Sequence, residues 1–209
     1  MSDVIILNGC SSSGKTTLAT SIQQISKVPF QYIGLDQFRD GLPMAMRGLN
    51  APPGSPGARG LNVVPEMTEN GPQTHIVFGE HGDQVLSGMR HSVQAFTKLG
   101  LNVIVDDLFF KASYVQEYAQ LLDIKKTWLV GVHCDLVEIE RREASRVGRF
   151  PGTAAAHIEQ LHAHVPNYDL EVWTNRDTPN VHAQQVLERL KTPPQALAVI
   201  RDLVTGESP

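Results

Sequence analysis

Residues 9–16, Gly9-Cys10-Ser11-Ser12-Ser13-Gly14-Lys15-Thr16, fit the pattern GxxxxGK[ST] and stand between a hydrophobic run at 3–7 (DVIIL) and a stretch of helical periodicity. A strand, a glycine-bounded loop and a helix in that order constrain this chain more than any other feature. Such a loop curls its backbone N–H groups inward, and the helix N-terminus behind it adds a positive field. The implied ligand is ATP with Mg2+. Gly9 to Thr16, together with Thr17, are expected to cradle the phosphates, Lys15 to neutralise the β and γ groups, and Thr16 to ligate the metal through its hydroxyl. A Ser/Gly-rich turn that merely contains a lysine needs neither the strand before it nor the helix after it.

The alternation continues along the chain. Apolar, β-branched runs recur at 30–35 (FQYIGL), 101–105 (LNVIV) and 127–132 (TWLVGV), with a weaker one at 169–174 (DLEVWT). Helices are expected to start near Gly14, Gln84, Ala112, Asp135, Thr153 and Pro179, and another after Pro194. Strands alternating with helices predict a P-loop NTPase-type α/β fold: three layers, α/β/α, on a mostly parallel five-stranded sheet, as one domain over residues 1–209. The run at 49–73 is dense in Gly and Pro and keeps no period, so it is expected to be an irregular loop over the substrate side. HIVFGEHGDQV, which follows, reads as a short hairpin turning near Glu80 to Gly82. Val85, Met89, Val93 and Phe96 fall at helical spacing and read as core, as do Trp128 and Trp173.

Carboxylates stand where strands end. Asp36 closes the second run in IGLDQF, and strand ends beside a phosphate loop face the ligand crevice. It suits a base that takes a proton from an acceptor hydroxyl; it equally suits a cap for a helix beginning at Gln37. Arg39, one turn on, either holds an anionic group of a substrate or is a solvated surface residue. Asp106 and Asp107 end the third run, from which an acid can reach the magnesium shell. Side-chain alternation sends them to opposite faces, and Asp106 is preferred for the metal; capping the helix near Ala112 is the alternative.

Arg141, Arg142, Arg146 and Arg149 crowd the segment after the fourth strand, and residues of about 135–165 read as a helical lid. Closed, it would bring Arg142, Arg146 and Arg149 over the phosphates, with Gly148, Pro151 and Gly152 as a flexible exit. Because Glu138, Glu140 and Glu143 are interleaved, a salt-bridged surface helix is the other reading. His157, His162 and His164 lie close together without a Cys or acidic partner in a familiar metal pattern. The formal net charge of −4 gives no global pull toward nucleic acid. With no long apolar segment and only Cys10 and Cys134, a cytoplasmic chain without membrane partners and with reduced thiols is expected.

These segments together resemble the chloramphenicol phosphotransferases, small P-loop kinases that phosphorylate the primary hydroxyl of that antibiotic. VIILNGCSSSGKT resembles the family's opening strand and loop, IGLDQFRDGLP its second strand, and VIVDDLF its third. WLVGVHCDLVEIERREASRVGR is similar to the strand and arginine-bearing lid, and His162 followed by YDLEV to the approach to the last strand. The resemblance implies Lys15 and Thr16 on phosphate and magnesium, Asp36 as base, and Arg142, Arg146 and Arg149 on the phosphates. It implies a small-molecule hydroxyl as acceptor. Residues 49–73, the terminus after Lys191, and Trp173, where the family tends to place an aspartate, depart from it. A kinase of an ordinary metabolite, such as a nucleoside or a sugar-like acid, would share every phosphate-side residue, and a nucleotide-dependent switch would share the loop.

Overall fold

The computed structural model of the chain describes residues 2–69, 71–145 and 150–206. In chain order, the first half consists of β1 (Val4–Asn8), α1 (Lys15–Ile25), β2 (Phe30–Gly34), α2 (Leu35–Asp40), β3 (Arg47–Leu49), α3 (Pro56–Arg59), β4 (Leu61–Thr68) and β5 (Gly71–Phe78). The second half consists of α4 (Glu80–Lys98), β6 (Asn102–Asp107), α5 (Ala112–Leu121), β7 (Thr127–His133), α6 (Leu136–Ala144), α7 (Thr153–Ala163), β8 (Leu170–Trp173), α8 (Pro179–Arg189) and α9 (Ala196–Thr205).

Five strands form the expected parallel sheet, in the order β2-β6-β1-β7-β8. Every residue of β1 is buried, as a central strand covered on both faces requires. Alternation divides its side chains between two cores. Ile5 and Leu7 pack with Leu18 and Ile22 of α1 and Val186 of α8. Val4 and Ile6 face the other way, among Met89 and Val93 of α4, Tyr118 of α5 and Leu197 of α9. With β6 on one side and β7 on the other, the loop leaving β1 opens at the crevice where strand order reverses.

The segment expected to be irregular instead belongs to a second sheet, in the order β3-β4-β5. Residues 49–73 contain the end of β3, all of α3 and β4, and the start of β5. β4 and β5 pair antiparallel from Leu61↔Phe78 to Thr68↔Gly71, so the hairpin turns between Thr68 and Gly71 and not near Glu80. Pro65 is what masks the strand in the sequence. It stands opposite Thr74, whose own N–H points away from β4 to Gly152 O at 3.3 Å. The N–H that proline lacks would also face outward there, beyond the end of β3, so the ladder loses nothing. The other misleading signal is Gly82. It lies inside α4, where a Cβ would come within 2.3 Å of Gly60 O, so it is a packing glycine and not a turn residue.

Of the two tryptophans expected in the core, Trp128 is buried and donates Nε1–H to Thr192 O at 3.0 Å. Trp173 is not: half-buried at the end of β8, it stacks on His133 (5.0 Å between ring centroids) with the Arg176 guanidinium 4.2 Å over its ring. Among the described residues no helix is long and apolar enough to cross a membrane.

Candidate active site

The loop between β1 and α1 is held by two left-handed residues, Ser12 (φ 61°) and Gly14 (φ 101°), the second serving as N-cap of α1. Gly9 is needed for a close approach, since a Cβ there would meet Val132 O at 2.2 Å. Lys15 is buried, and its ammonium donates to Gly9 O at 2.7 Å and Cys10 O at 2.9 Å. Ser12 Oγ and Ser13 Oγ are buried without a hydrogen-bond partner. Hydroxyls left unpaired beside a buried lysine and a helix N-terminus are what a bound phosphate would satisfy, so the loop fits a nucleotide's phosphates. The Cys10 thiol, pushed up to about 11 mainly by burial, stays protonated and is a small loop residue.

Parallel pairing of β1 with β6 sets Leu7 beside Asp106 and Asn8 beside Asp107. The two acids part as strand alternation requires. Asp106 faces the loop: its Oδ2 accepts from Thr16 Oγ1 at 2.7 Å, and its Oδ1 lies 3.6 Å from Lys15 Nζ. A hydroxyl and a carboxylate side by side are hard oxygen donors, the kind that fit Mg2+ with water in its remaining positions. Asp107 points into the core, accepting from Tyr118 OH at 2.9 Å and Leu108 N at 2.7 Å, and does not cap the helix near Ala112. Burial pushes its carboxyl up to about 6, against the pull of Arg90.

Tyr32 was not legible as a site residue. Its hydroxyl donates to Asp106 Oδ2 at 3.1 Å, and its ring lies against Gly34, where a Cβ would meet Tyr32 Oη at 2.5 Å. Burial first, then the Asp106 charge, raises the phenol above its ordinary range, so Tyr32 keeps its proton and acts as a donor. A polar ring inside FQYIGL was the only sequence signal.

Asp36 sits in the first turn of α2, whose N-cap position Gly34 occupies; Gln37 Oε1 accepts from Gly34 N at 2.8 Å. Asp36 is therefore not the cap. Its half-exposed carboxylate pairs with Arg39 Nη1 at 2.6 Å, and Arg39 also holds Asp40 at 2.9 Å.

Loop, acids and second sheet meet around one cavity of about 560 Å3. Ser11, Gly14, Lys15, Thr16 and Thr17 line one end with Tyr32 and Asp106. Asp36, Arg39 and Arg47 line the flank. Leu61, Val63, Ile76 and Phe78 of β4 and β5 make an apolar wall, with Phe110, Phe150 and His157 completing it.

Arg142 is placed differently from the expectation of a clamp over the phosphates. Glu138 holds its Nε at 2.9 Å, and its Nη1 donates to Ser12 O at 3.2 Å and Thr174 Oγ1 at 3.1 Å. It lines a second cavity of about 120 Å3, with Thr174, Pro179 and His182. Arg142 thus braces the phosphate loop from its backbone. Arg146 and Arg149 lie outside the described residues.

The three clustered histidines go separate ways. His157 Nε2 accepts from Ile76 N at 2.9 Å. His162 Nδ1 lies 2.8 Å from Tyr168 OH, which itself accepts from Asn8 Nδ2 at 2.6 Å, so the phenol's proton is left for His162. Burial, then His133 and Lys15, hold the His162 imidazole down at about 4, and it is neutral at pH 7. His164 is half-buried just past α7.

The family model described as chloramphenicol phosphotransferase-like protein matches residues 2–191. Curated proteins of two Mycobacterium tuberculosis strains, each named "Putative O-phosphotransferase", are 28% identical to the chain, covering 95% of it and 86% of their own length. Among solved structures, the M. tuberculosis APS kinase in complex with AMPPNP and APS superposes with a TM-score of 0.61 at 16% identity, covering 91% of this chain and 98% of its own. The Deinococcus radiodurans tunicamycin resistance protein gives 0.57 at 14%, covering 93% and 99%. A gluconokinase from Sinorhizobium meliloti gives 0.55 at 14%, covering 99% and 98%. At these identities the structural likeness is one of fold, that of the P-loop kinases.

Proposed function

Because the chain belongs to the chloramphenicol phosphotransferase-like family, we propose that it is an ATP- and Mg2+-dependent kinase that phosphorylates a hydroxyl of a small amphipathic molecule, with chloramphenicol the first acceptor to test. One observation carries this reading: a single cavity is lined by the phosphate loop, by the Asp36 carboxylate and by an apolar wall. The loop N–H groups, Ser12, Ser13 and Lys15 bind the triphosphate. Thr16 and Asp106 would hold Mg2+, which supplies positive charge against the phosphate oxygens. Asp36 takes the proton of the acceptor hydroxyl as that oxygen forms its bond to the γ-phosphorus; the bond from phosphorus to the bridging oxygen breaks and ADP leaves. Arg39 fixes the orientation of Asp36.

The cavity favours an uncharged acceptor over a sugar-like acid. Among the described residues, the arginines that line it are engaged, Arg39 with Asp36 and Asp40, and Arg47 with Leu42 O and Asp40 O. An anionic metabolite would have to displace those partners, whereas an apolar body gains contact with Val63, Ile76 and Phe110 without displacing anything.

The test is ADP release with chloramphenicol and a panel of neutral alcohols, measured against the rate with water alone. Stimulation by at least one neutral alcohol is expected; no stimulation by any, or stimulation by acids only, would refute the reading. In Asp36→Asn, turnover should fall by about a hundredfold or more, while calorimetry finds ATP binding unchanged.

A further inference from the structure

The apolar wall belongs to a sheet that shares no strand with the main one, so something other than β-pairing must fix its distance from the rest of the cavity. Part of that contact is the bond of Lys111 Nζ, from the loop after β6, to Phe78 O at 3.3 Å, and part is at the free edge of β5. In an antiparallel ladder, alternate residues of an edge strand turn N–H and C=O outward. Here Thr74 N donates to Gly152 O at 3.3 Å, Thr74 Oγ1 to Pro151 O at 2.8 Å, and Ile76 N to His157 Nε2 at 2.9 Å.

The last of these bonds continues across the site. Since Nε2 accepts, the ring proton sits on Nδ1, facing Gln160 Oε1 at 3.4 Å; Gln160 Nε2 in turn donates to Phe110 O at 3.2 Å. Ile76, His157 and Phe110 all line the cavity, so the chain of bonds joins one wall to another. The imidazole is 6% exposed and packs edge-on against Phe110 (5.1 Å between centroids) and His75 (5.6 Å).

Resting on the acceptor reading above, we propose that His157 is a positioning residue for the acceptor: the bridge Ile76–His157–Gln160–Phe110 sets the spacing between the β5 wall and the loop after β6. An imidazolium carries protons on both nitrogens and cannot accept from Ile76 N–H, so the bridge exists only with a neutral ring. Burial holds the ring's pKa below its ordinary value, helped by His75 and opposed by Gln160. His75, which pairs with Glu66 at 3.5 Å, is the titratable neighbour from β5; Gln160 and Phe110 carry no charge.

Two readouts test this. Residue-resolved NMR on the whole chain reports the His157 tautomer and the exchange protection of the Ile76 amide, corrected for intrinsic rate, between pH 5 and 8. Steady-state kinetics with chloramphenicol gives KM for acceptor and for ATP. In His157→Phe, which keeps ring volume but has no acceptor atom, Ile76 should exchange about tenfold faster and the acceptor KM should rise about tenfold, with kcat and the ATP KM within about twofold. In His157→Gln, whose amide oxygen can stand in for Nε2, protection and KM should return toward wild type, and the loss of Ile76 protection expected of wild type on acidification should be absent.

An Nε2–H tautomer in the wild-type protein, or unchanged Ile76 protection in His157→Phe, overturns the bridge. KM for ATP rising in step with that for acceptor overturns the positioning role. The tautomer and the wild-type pH series need neither a variant that folds nor a known acceptor. Absence of turnover with every neutral alcohol, with the exchange pattern as expected, overturns the acceptor reading and upholds the bridge.

Discussion

Tyr32 shows how much of this site depends on single donors. Asp106 Oδ2 receives both the Thr16 hydroxyl and the Tyr32 phenol, so a metal that recruits Thr16 leaves Tyr32 as the group that keeps the carboxylate aimed. Tyr32→Phe should raise the Mg2+ concentration for half-maximal rate by about tenfold, measured by magnesium titration at saturating ATP, with little change in acceptor KM. An unchanged magnesium midpoint would reduce the Tyr32 bond to packing. The lysine, the threonine and both acids were legible because each stands at a fixed distance from a strand end. Tyr32 was not, because its role comes from β2 pairing with β6, which sets Gly34 beside Asp106 and brings a ring two residues earlier in the chain to the same carboxylate.

At the scale of elements, the parallel sheet announced itself through unbroken apolar runs, and the second sheet hid behind residues that usually mark loops. Pro65 is harmless at its register position, and Gly48, Gly57 and Gly60 serve close approach, while Gly54 and Gly71 take left-handed backbone angles. Gly82→Ala measures this directly. The added methyl meets backbone at Gly60 and no flexible side chain can yield, so a loss of about 1–3 kcal/mol is expected in chemical denaturation. An unchanged midpoint would mean that α4 can shift against α3 freely. Arg142 teaches the complementary point. Its place four residues after Glu138 was visible, but its engagement with Ser12 O and Thr174 depended on where α6 lands beside the loop.

For the molecule as a whole, buried histidines couple stability to pH. His162 titrates at about 4 when folded and about 6.5 when unfolded, so between those values the unfolded chain binds more protons. Its contribution is complete above about pH 6.5 and is lost as pH falls through about 4. Asp107, raised to about 6, acts with the opposite sign, since protonation relieves its buried charge as pH falls. Comparing wild type with His162→Asn isolates the histidine. The wild type should lose on the order of 1–2 kcal/mol more between pH 7 and pH 4, allowing for the ring's partial exposure. Parallel denaturation curves over that range would exclude this role. By itself the sequence determined the phosphate loop, the five-stranded parallel sheet and the acids beside them, because hydrophobic period and glycine placement are local properties of the chain. Tertiary structure alone decided which aspartate faces the loop, that Tyr32 serves it, that Arg142 braces the loop backbone, and that a second sheet, joined to α7 through His157, walls the cavity. Those facts depend on strand register and on contacts between residues far apart in the chain, such as the hydrogen bond of Thr174 Oγ1 to Ser13 O across 161 positions, which no local pattern encodes.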